Sequence, residues 1–283
     1  MGNIKIIADS TCDLTKDLIE QYDITIVPLT IMLGDNDYKD GKDITPTDIF
    51  NWSEEVKSTP KTAAPIIEDV LHILTPFVRE NRPILFIGIS EEMSTTCNVI
   101  RLSKDYLDYS NIHVINSKNL STGIGHVVIK AAKMAKEGKT IDEVLSVINP
   151  MVDKVRASFV IDTLTYLHRG GRCSSVTALI GNTLRLKPMI QVTNGKMGVG
   201  KKYRGNNKKV LISYYEDLKP HLLNANNERV FITHSGCDKA VVHELITNIK
   251  ELNHFDEVIE TIAGSVISSH CGPETLGILY VDK

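Results

Sequence analysis

Three hydroxyl side chains follow one another at a point where a buried strand should lead into a helix. The apolar run Ile84–Ile89 comes first, and Ser94, Thr95 and Thr96 open the helical pattern after it. In open α/β sheets, ligands bind beyond the carboxyl ends of the strands, where the next helix offers free N–H groups and a partial positive charge. One hydroxyl is enough to cap a helix, so the other two are available for an anion. The segment alone also fits a plain cap by Ser94 followed by two incidental threonines.

Thr62 is a second candidate ligand contact. It lies in the segment STPKTAAP, where Pro60 and Pro65 should bracket a loop and the small side chains of Ala63 and Ala64 would let a ligand approach closely. A proline-bounded connector without any binding role explains the same residues.

Two further segments carry polar groups suited to an anion. YLHRGGRCSSV combines a glycine pair with Arg169 and Arg172, and a guanidinium beside glycines can pair with a carboxylate or a phosphate. VISSHCGPETLG places His270 on what should be a loop before the last strand. A solvated basic turn and a structural histidine are the ordinary alternatives.

The run KKYRGNNKK, residues 201–209, holds five basic residues in nine. Most charge runs form solvated faces. Five positive charges on a chain of net charge −3 also suit a surface that docks a partner, and the sequence leaves both interpretations open.

Composition argues against several classes of protein. The chain has 283 residues, of which 42% are hydrophobic and 24% charged, as is typical of soluble globular proteins. The net charge of −3 gives no reason to expect nucleic acid as a partner.

No apolar run is long enough for a signal peptide or a membrane span, so we expect a cytoplasmic protein without integral membrane association. The five cysteines are far apart and lack zinc-site spacing, so no metal site is expected.

The motifs of common enzymes are incomplete in this chain. GISEE lacks the second glycine of the G-x-S-x-G nucleophile elbow. GKMGVG falls in a predicted hairpin, and no Walker A lysine motif occurs, so nucleotide binding is not indicated.

Apolar strands alternate with amphipathic helices, which predicts βαβ units and mainly parallel sheets in an α/β fold. The first half carries predicted strands at Ile4–Ala8, Ile24–Leu33, Ile84–Ile89 and His113–Asn116. The second half carries them at Ser158–Asp162, Met189–Thr193, Arg229–Thr233, Glu257–Ile262 and Gly277–Val281. This pattern predicts two domains, residues 1–157 and 158–283, with an approximate boundary.

Local signals predict some of the connections. Asp-Gly at 40–41 and Asn-Gly at 194–195 predict hairpin turns, because glycine accepts the positive φ that such turns need. Thr45 before Pro46 predicts the cap and first turn of a helix. A further helix is expected over Val176–Arg185.

Seven segments, taken in order along the chain, resemble the signature motifs of the bacterial DegV family of fatty-acid-binding proteins. They are IADSTCDL, TAAPI, SEEMSTT, YLHRGGR, KPMI, KYR and HCGPETLG. Each motif is weak alone, but six or seven in one order are hard to obtain by chance. The resemblance implies a two-domain α/β protein that holds one long-chain fatty acid, such as palmitate, in an apolar tunnel between its domains.

The resemblance also implies roles for the residues of the head-group site. The carboxylate would be received by Thr62, by Ser94 and by the backbone of Thr95. His270 would lie nearby, and Arg172 would support the head-group network.

A partner follows from the same resemblance. Arg204 matches a basic position that docks a fatty-acid kinase subunit, which would phosphorylate the bound acyl group and so feed phospholipid synthesis. The chain itself would be a lipid carrier without a cofactor or a catalytic residue, and not an enzyme.

Departures from the family pattern keep alternatives open. Thr95 stands where the family has glycine, and Glu91 and Glu92 add negative charge near the anion site. If these glutamates faced the ligand, they would argue against a fatty-acid carboxylate as its head group, whereas glutamates that face solvent would not.

One alternative function is a hydrolase or transferase using Ser94 and His270, which requires a hydrogen bond between the serine hydroxyl and the histidine. The other is a regulatory domain that binds a ligand other than a lipid.

Overall fold

Strands and helices alternate along the first half of the chain. The structure, a computed structural model, describes residues 4–179 and 186–283. Its first seven strands are β1 Lys5–Asp9, β2 Thr25–Val27, β3 Thr30–Leu33, β4 Asn36–Lys39, β5 Lys61–Ala63, β6 Ile84–Gly88 and β7 Ile112–Asn116. The helices of this half are α1 Lys16–Gln21, α2 Pro46–Val56, α3 Ile67–Arg79, α4 Thr96–Tyr106, α5 Thr122–Lys136 and α6 Ile141–Val152.

The second half contributes six further strands and four helices among the described residues. The strands are β8 Val155–Val160, β9 Leu186–Thr193, β10 Lys196–Arg204, β11 Arg229–His234, β12 Glu257–Ile262 and β13 Leu276–Val281. The helices are α7 Thr165–Gly170, α8 Asn207–Leu222, α9 Lys239–Lys250 and α10 Ser265–Cys271. None of the described helices is long and apolar enough to cross a membrane.

The first sheet is wholly parallel, as predicted. Its order is β2-β1-β6-β7, and every neighbouring pair runs in the same direction. All residues of β1 and β6 are buried, which explains why Ile6–Ala8 of β1 and the whole of β6 lack an alternation of apolar and polar residues. The α/β class is therefore confirmed.

The second sheet corrects the prediction of a mainly parallel arrangement in both halves. Its order is β10-β9-β8-β13-β11-β12, and only the pair β11/β12, joined through α9, is parallel. The other four pairs are antiparallel. The physical reason lies partly in the two-residue turn Asn194-Gly195, where φ is +50° and +81°, because such a turn can join only antiparallel strands. That hairpin was predicted correctly.

A small antiparallel sheet, in the order β4-β3-β5, lies beside the first one. The predicted strand Ile24–Leu33 is divided into β2 and β3, and Pro28 lies in the break, where it has no N–H for a ladder. The hairpin between β3 and β4 turns at Gly34, with φ +62°, and not at Asp40-Gly41 as predicted. Thr62 pairs with Ile31 on the edge strand β5, so it lies on a strand and not in a loop.

Helix α5 joins the two halves through a shared core. It contacts β1 and β6 of the first sheet and β8 and β13 of the second. Eleven of its fifteen residues are buried, so it presents apolar surface on nearly every side. The second sheet begins at Val155, close to the predicted division at residue 157, which stays a prediction.

Helix ends follow the local signals. The Thr45 hydroxyl oxygen accepts a hydrogen bond from Asp48 N, and the Asp48 carboxylate accepts one from Thr45 N, which completes a capping box ahead of Pro46. The predicted helix Val176–Arg185 falls on a 3-10 helix at Ser174–Leu179, and its remaining residues lie outside the described ranges.

Truncation of Ile124, a fully buried residue on α5, should destabilise both halves together. We expect Ile124→Ala to lower the free energy of unfolding by about 2–5 kcal/mol, because a cavity would form in the shared core. Val147→Ala on α6, where the side chain is 37% exposed, is the control and should cost less than about 1 kcal/mol. Urea denaturation followed by circular dichroism measures both. Equal costs for the two variants would contradict the shared core.

Candidate ligand-binding site

A cavity opens where the small sheet, the loop after β6 and helix α10 meet. Its free volume is about 50 Å³. Four of the residues predicted from the sequence line it, namely Thr62, Ser94, Arg172 and His270. Most of its remaining wall is apolar and includes Leu29, Ile89, Met93, Leu120, Val266 and Ile267. The structure thus gathers polar groups at one side of an apolar space.

Thr62 and His270 form a hydrogen bond across this cavity. Thr62 Oγ1 lies 2.8 Å from His270 Nε2, although the two residues are 208 positions apart in the chain. Thr62 is held by strand β5, and His270 lies in the last turn of α10 and not on a loop as predicted. Both side chains are half-buried, so their positions are fixed by regular structure while they still face the cavity.

The surroundings of His270 keep its imidazole neutral. Burial, with a smaller effect from the positive charge of Arg172, lowers the pKa of His270 from 6.5 to about 4. Nδ1 is shielded from solvent and has no hydrogen-bond partner among the described residues. An unpaired acceptor is tolerated better than an unpaired N–H donor, which favours the tautomer with hydrogen on Nε2. In that tautomer Thr62 accepts from His270 and keeps its own O–H free to donate.

The glycine pair at 170–171 has two separate functions. A Cβ atom on Gly170 would lie 2.2 Å from His270 Nδ1, so only glycine lets the imidazole pack there. Gly171 ends α7 with φ +67°, a conformation that glycine adopts without strain. Arg172 follows directly, and its Nη1 donates to the Gly170 carbonyl at 2.8 Å. The exposed Arg172 therefore lies at the rim of the cavity, beside His270.

Ser94 lies in the tight loop between β6 and α4. Its Oγ is 2.8 Å from Thr96 Oγ1, and the Thr96 N–H donates to it at 3.3 Å. Thr95 is the N-cap of α4 but makes no side-chain cap bond, is exposed, and is not part of the cavity wall. The role predicted for its backbone stays a prediction.

Glu91 and Glu92 face solvent. Both are exposed, Glu91 forms an ion pair with Arg101 at 2.5 Å, and Glu92 forms one with Lys196 at 3.4 Å. Their charges are therefore directed away from the cavity and partly neutralised, so they present no obstacle to an anion near Ser94.

A second, deeper cavity of about 20 Å³ continues the apolar space toward the second sheet. It shares Leu120, Ile267 and Cys271 with the first cavity, and Phe159 and Leu279 lie farther in. The hydroxyls that face it are engaged elsewhere, since Thr233 bonds to Thr122 and Thr261 at 2.7 Å and Thr275 donates to the Cys271 carbonyl at 3.0 Å. The deeper space therefore offers mainly carbon to a ligand.

Arg204 lies at the end of β10, away from the cavity wall, and is exposed. Within the described residues its guanidinium makes no hydrogen bond or ion pair. Two neighbours in the basic run are paired, Lys201 with Asp217 at 2.6 Å and Lys208 with Glu244 at 2.8 Å. Part of the basic run is thus a solvent-exposed surface whose lysines pair with carboxylates of the same chain. Arg204 carries a positive charge that is available to a partner.

Comparison with known proteins identifies the family of this fold and cavity. The family model described as "Uncharacterised protein, DegV family" matches residues 3–283. The chain belongs to the DegV family. A DegV domain-containing protein of Caldanaerobacter subterraneus is 30% identical over 285 residues, with all of both chains covered. One of Clostridium acetobutylicum is 32% identical over 287 residues, covering 98% of this chain and 97% of the relative.

Solved structures of DegV proteins superpose on the whole chain. A DegV family protein of Thermus thermophilus, described for its fatty acid binding, is 28% identical and gives a TM-score of 0.90 with both chains fully covered. A stearic acid-binding protein of Eubacterium ventriosum is 28% identical, with a TM-score of 0.86 and coverage of 99% and 98%. DegV of Bacillus subtilis, a fatty acid binding protein, is 25% identical, with a TM-score of 0.86 and full coverage.

Two functional candidates in this DegV chain escaped the sequence reasoning. Asp13 and Asp40 are buried, and each accepts a hydrogen bond from the backbone at the beginning of α10, from Gly264 N at 2.8 Å and from Ser265 N at 2.9 Å. Asp13 lies in the motif IADSTCDL and Asp40 in the predicted turn at 40–41, but neither segment indicated a contact with α10. Their partners are more than 220 positions away, which no local pattern reveals.

The neutral state of His270 can be measured directly. Because its folded pKa of about 4 lies below the unfolded value of 6.5, the unfolded chain binds a proton first as the pH falls through this window, and stability is lost there. We expect the Cε1–H resonance of His270, assigned by its absence from His270→Gln, to show no titration between pH 8 and about pH 5 in NMR spectra. A midpoint near 6.5 would show that the imidazole is not held neutral.

Proposed function

We propose that this protein binds one long-chain fatty acid and holds its carboxylate at the polar side of the cavity. The observation that carries the proposal is the hydrogen bond between Thr62 and a neutral His270 at the edge of an apolar space. The acyl chain would extend past Leu120 and Ile267 into the deeper cavity. This places the ligand between the two halves of the molecule.

The head group would be received mainly by neutral donors. An ionised carboxylate cannot be buried without partners, and Thr62 has an O–H free to donate in the favoured tautomer. Ser94 supplies a second hydroxyl next to the N-terminus of α4, where the helix dipole favours an anion. Arg172 at the rim supplies a positive charge that stays close to solvent. A carboxylate held in this way keeps one face accessible.

The acyl chain would provide most of the binding free energy. Burial contributes about 0.8 kcal/mol per methylene, so about 14 methylenes, as in palmitate, give on the order of 11 kcal/mol before association costs of roughly 4–15 kcal/mol. Small-molecule pockets usually measure about 300–1,000 Å³, far above the two free volumes here. The side chains between the two cavities must therefore move apart when the chain enters.

The related structures support a fatty acid as the ligand. Proteins that are 28% identical over essentially their whole length are described as fatty acid and stearic acid binders. The hydrolase alternative receives no support from the geometry, because Ser94 Oγ pairs with Thr96 while His270 pairs with Thr62. No base therefore activates Ser94 in this arrangement. We propose a carrier and not an enzyme.

The head-group assignment predicts the effect of removing one hydroxyl. Ser94→Ala should weaken palmitate binding roughly 10- to 150-fold, because one charge-assisted hydrogen bond contributes roughly 1.5–3 kcal/mol. Thr95→Ala is the matched control, since that side chain faces solvent, and it should bind within about two-fold of the parent chain. Isothermal titration with delipidated protein measures both. Equal affinities for all three proteins would remove Ser94 from the site.

Purified protein offers an independent test of the proposed ligand. Native mass spectrometry of the chain expressed in bacteria should show one bound fatty acid for each chain, released by organic extraction. A chain that carries no lipid, takes none up and hydrolyses acyl esters would overturn the proposal in favour of an enzyme.

We further propose that the carrier presents the carboxylate to a fatty-acid kinase in the cytoplasm, so that the acyl phosphate enters phospholipid synthesis. Arg204, which is exposed and has no ion pair among the described residues, is the residue proposed to dock the kinase. Arg204→Ala should bind palmitate with parental affinity but lower acyl phosphate formation at least ten-fold in a coupled kinase assay. Lys201→Ala, which removes an internally paired charge of the same run, is the control and should change this rate little. Loss of lipid binding in Arg204→Ala would contradict the division of roles.

A further inference from the structure

The beginning of helix α10 is held by two buried carboxylates from the first half of the chain. Asp13 Oδ1 accepts from Gly264 N at 2.8 Å, and Asp40 Oδ1 accepts from Ser265 N at 2.9 Å. A Cβ atom placed on Gly264 would lie 3.0 Å from Asp13 Oδ1 and 3.5 Å from Asp40 Oδ1, so both carboxylates face one point. Two of the free N–H groups at this end of the helix are therefore satisfied by fixed acceptors.

The Asp13 carboxylate is itself held in place, and α10 makes a further contact near Asp40. Asp13 Oδ2 accepts from Ser121 Oγ at 2.5 Å, just before α5 begins. Ser265 Oγ donates to the Ile44 carbonyl at 3.2 Å, beside Asp40. The anchor thus connects α10 to the first half of the chain through groups that surround its first turn.

Burial of two carboxylates is a costly way to attach a helix. Burial raises the pKa of both Asp13 and Asp40 above the usual aspartate range. Apolar side chains of similar size would attach α10 with less loss of stability, as replacement of buried charges in other proteins shows. What carboxylates add is direction and distance, since a hydrogen bond has a preferred length and angle whereas hydrophobic burial is non-directional. This suggests that the axial position of α10 is important.

The group at the other end of α10 explains that importance. His270 lies five residues after Ser265, which at about 1.5 Å per residue is roughly 8 Å along the axis. Its bond to Thr62 is already 2.8 Å long, and the backbone of Gly170 closes the opposite side of the ring. A shift of about 1 Å along the axis would break the bond or force the ring against Gly170. We propose that Asp13 and Asp40 are positioning residues, which set the place of His270 in the head-group site by anchoring the beginning of α10.

This inference rests on the proposed function for its ligand, but one readout is independent of any ligand. Asp13→Ala removes an acceptor, and Gly264→Ala leaves both aspartates intact while inserting a methyl group between them. Gly264 has φ −62°, so alanine is compatible with the backbone there. Asp13→Asn keeps an oxygen for Gly264 N and an amide for Ser121, and is the conservative variant. Leu245→Ala, which truncates a fully buried side chain of α9 in a separate hydrophobic cluster and lines neither cavity, controls for loss of stability.

We expect the His270 Cε1–H resonance to shift in Asp13→Ala and Gly264→Ala, and palmitate affinity to fall at least ten-fold in both. Asp13→Asn should restore affinity to within about three-fold, and Leu245→Ala should keep it within two-fold. Unchanged resonance and affinity in folded Asp13→Ala and Gly264→Ala would overturn the inference, as would an equal loss in Leu245→Ala. If the parent chain does not bind palmitate, the proposed function fails, and the resonance alone still decides whether the carboxylates position His270.

Discussion

A carboxylate that enters an apolar cavity must find hydrogen-bond donors there, and the proposed function depends on this requirement. Thr62 on an edge strand and His270 on a short helix supply one pair of groups, joined at 2.8 Å. The imidazole must stay neutral and oriented so that the threonine hydroxyl can donate outward. Burial, the close backbone of Gly170 and the charge of Arg172 all contribute to that state.

The fold brings these groups together by sharing a core between its two halves. Helix α5 packs against strands of both sheets, and the largest hydrophobic cluster contains residues of both halves. The deeper cavity lies in this shared interior, where Leu120 and Ile267 separate it from the polar side of the first cavity. The polar and apolar parts of the site are therefore adjacent, which is the arrangement that an amphipathic ligand requires.

Much of the site, and part of the fold, could be predicted from the sequence. Motifs located Thr62, Ser94, Arg172 and His270, and an Asn-Gly signal located the β9–β10 hairpin. Alternation of strands and helices did not predict the antiparallel second sheet, because β13 is inserted between β8 and β11 by a pairing that no local pattern encodes. The anchoring carboxylates were missed for a related reason, since a buried aspartate bonded to a distant backbone N–H resembles any other aspartate in the sequence.

The central claim is that a fatty-acid carboxylate meets Thr62 and Ser94 while its chain enters the shared core. A crystal structure of the protein with bound palmitate tests this most directly. The account predicts carboxylate oxygens within about 3.2 Å of Thr62 Oγ1 and Ser94 Oγ, an unbroken bond between Thr62 and His270, and an acyl chain that passes between Leu120 and Ile267. A palmitate bound elsewhere, or with its carboxylate in the deeper cavity, would contradict it.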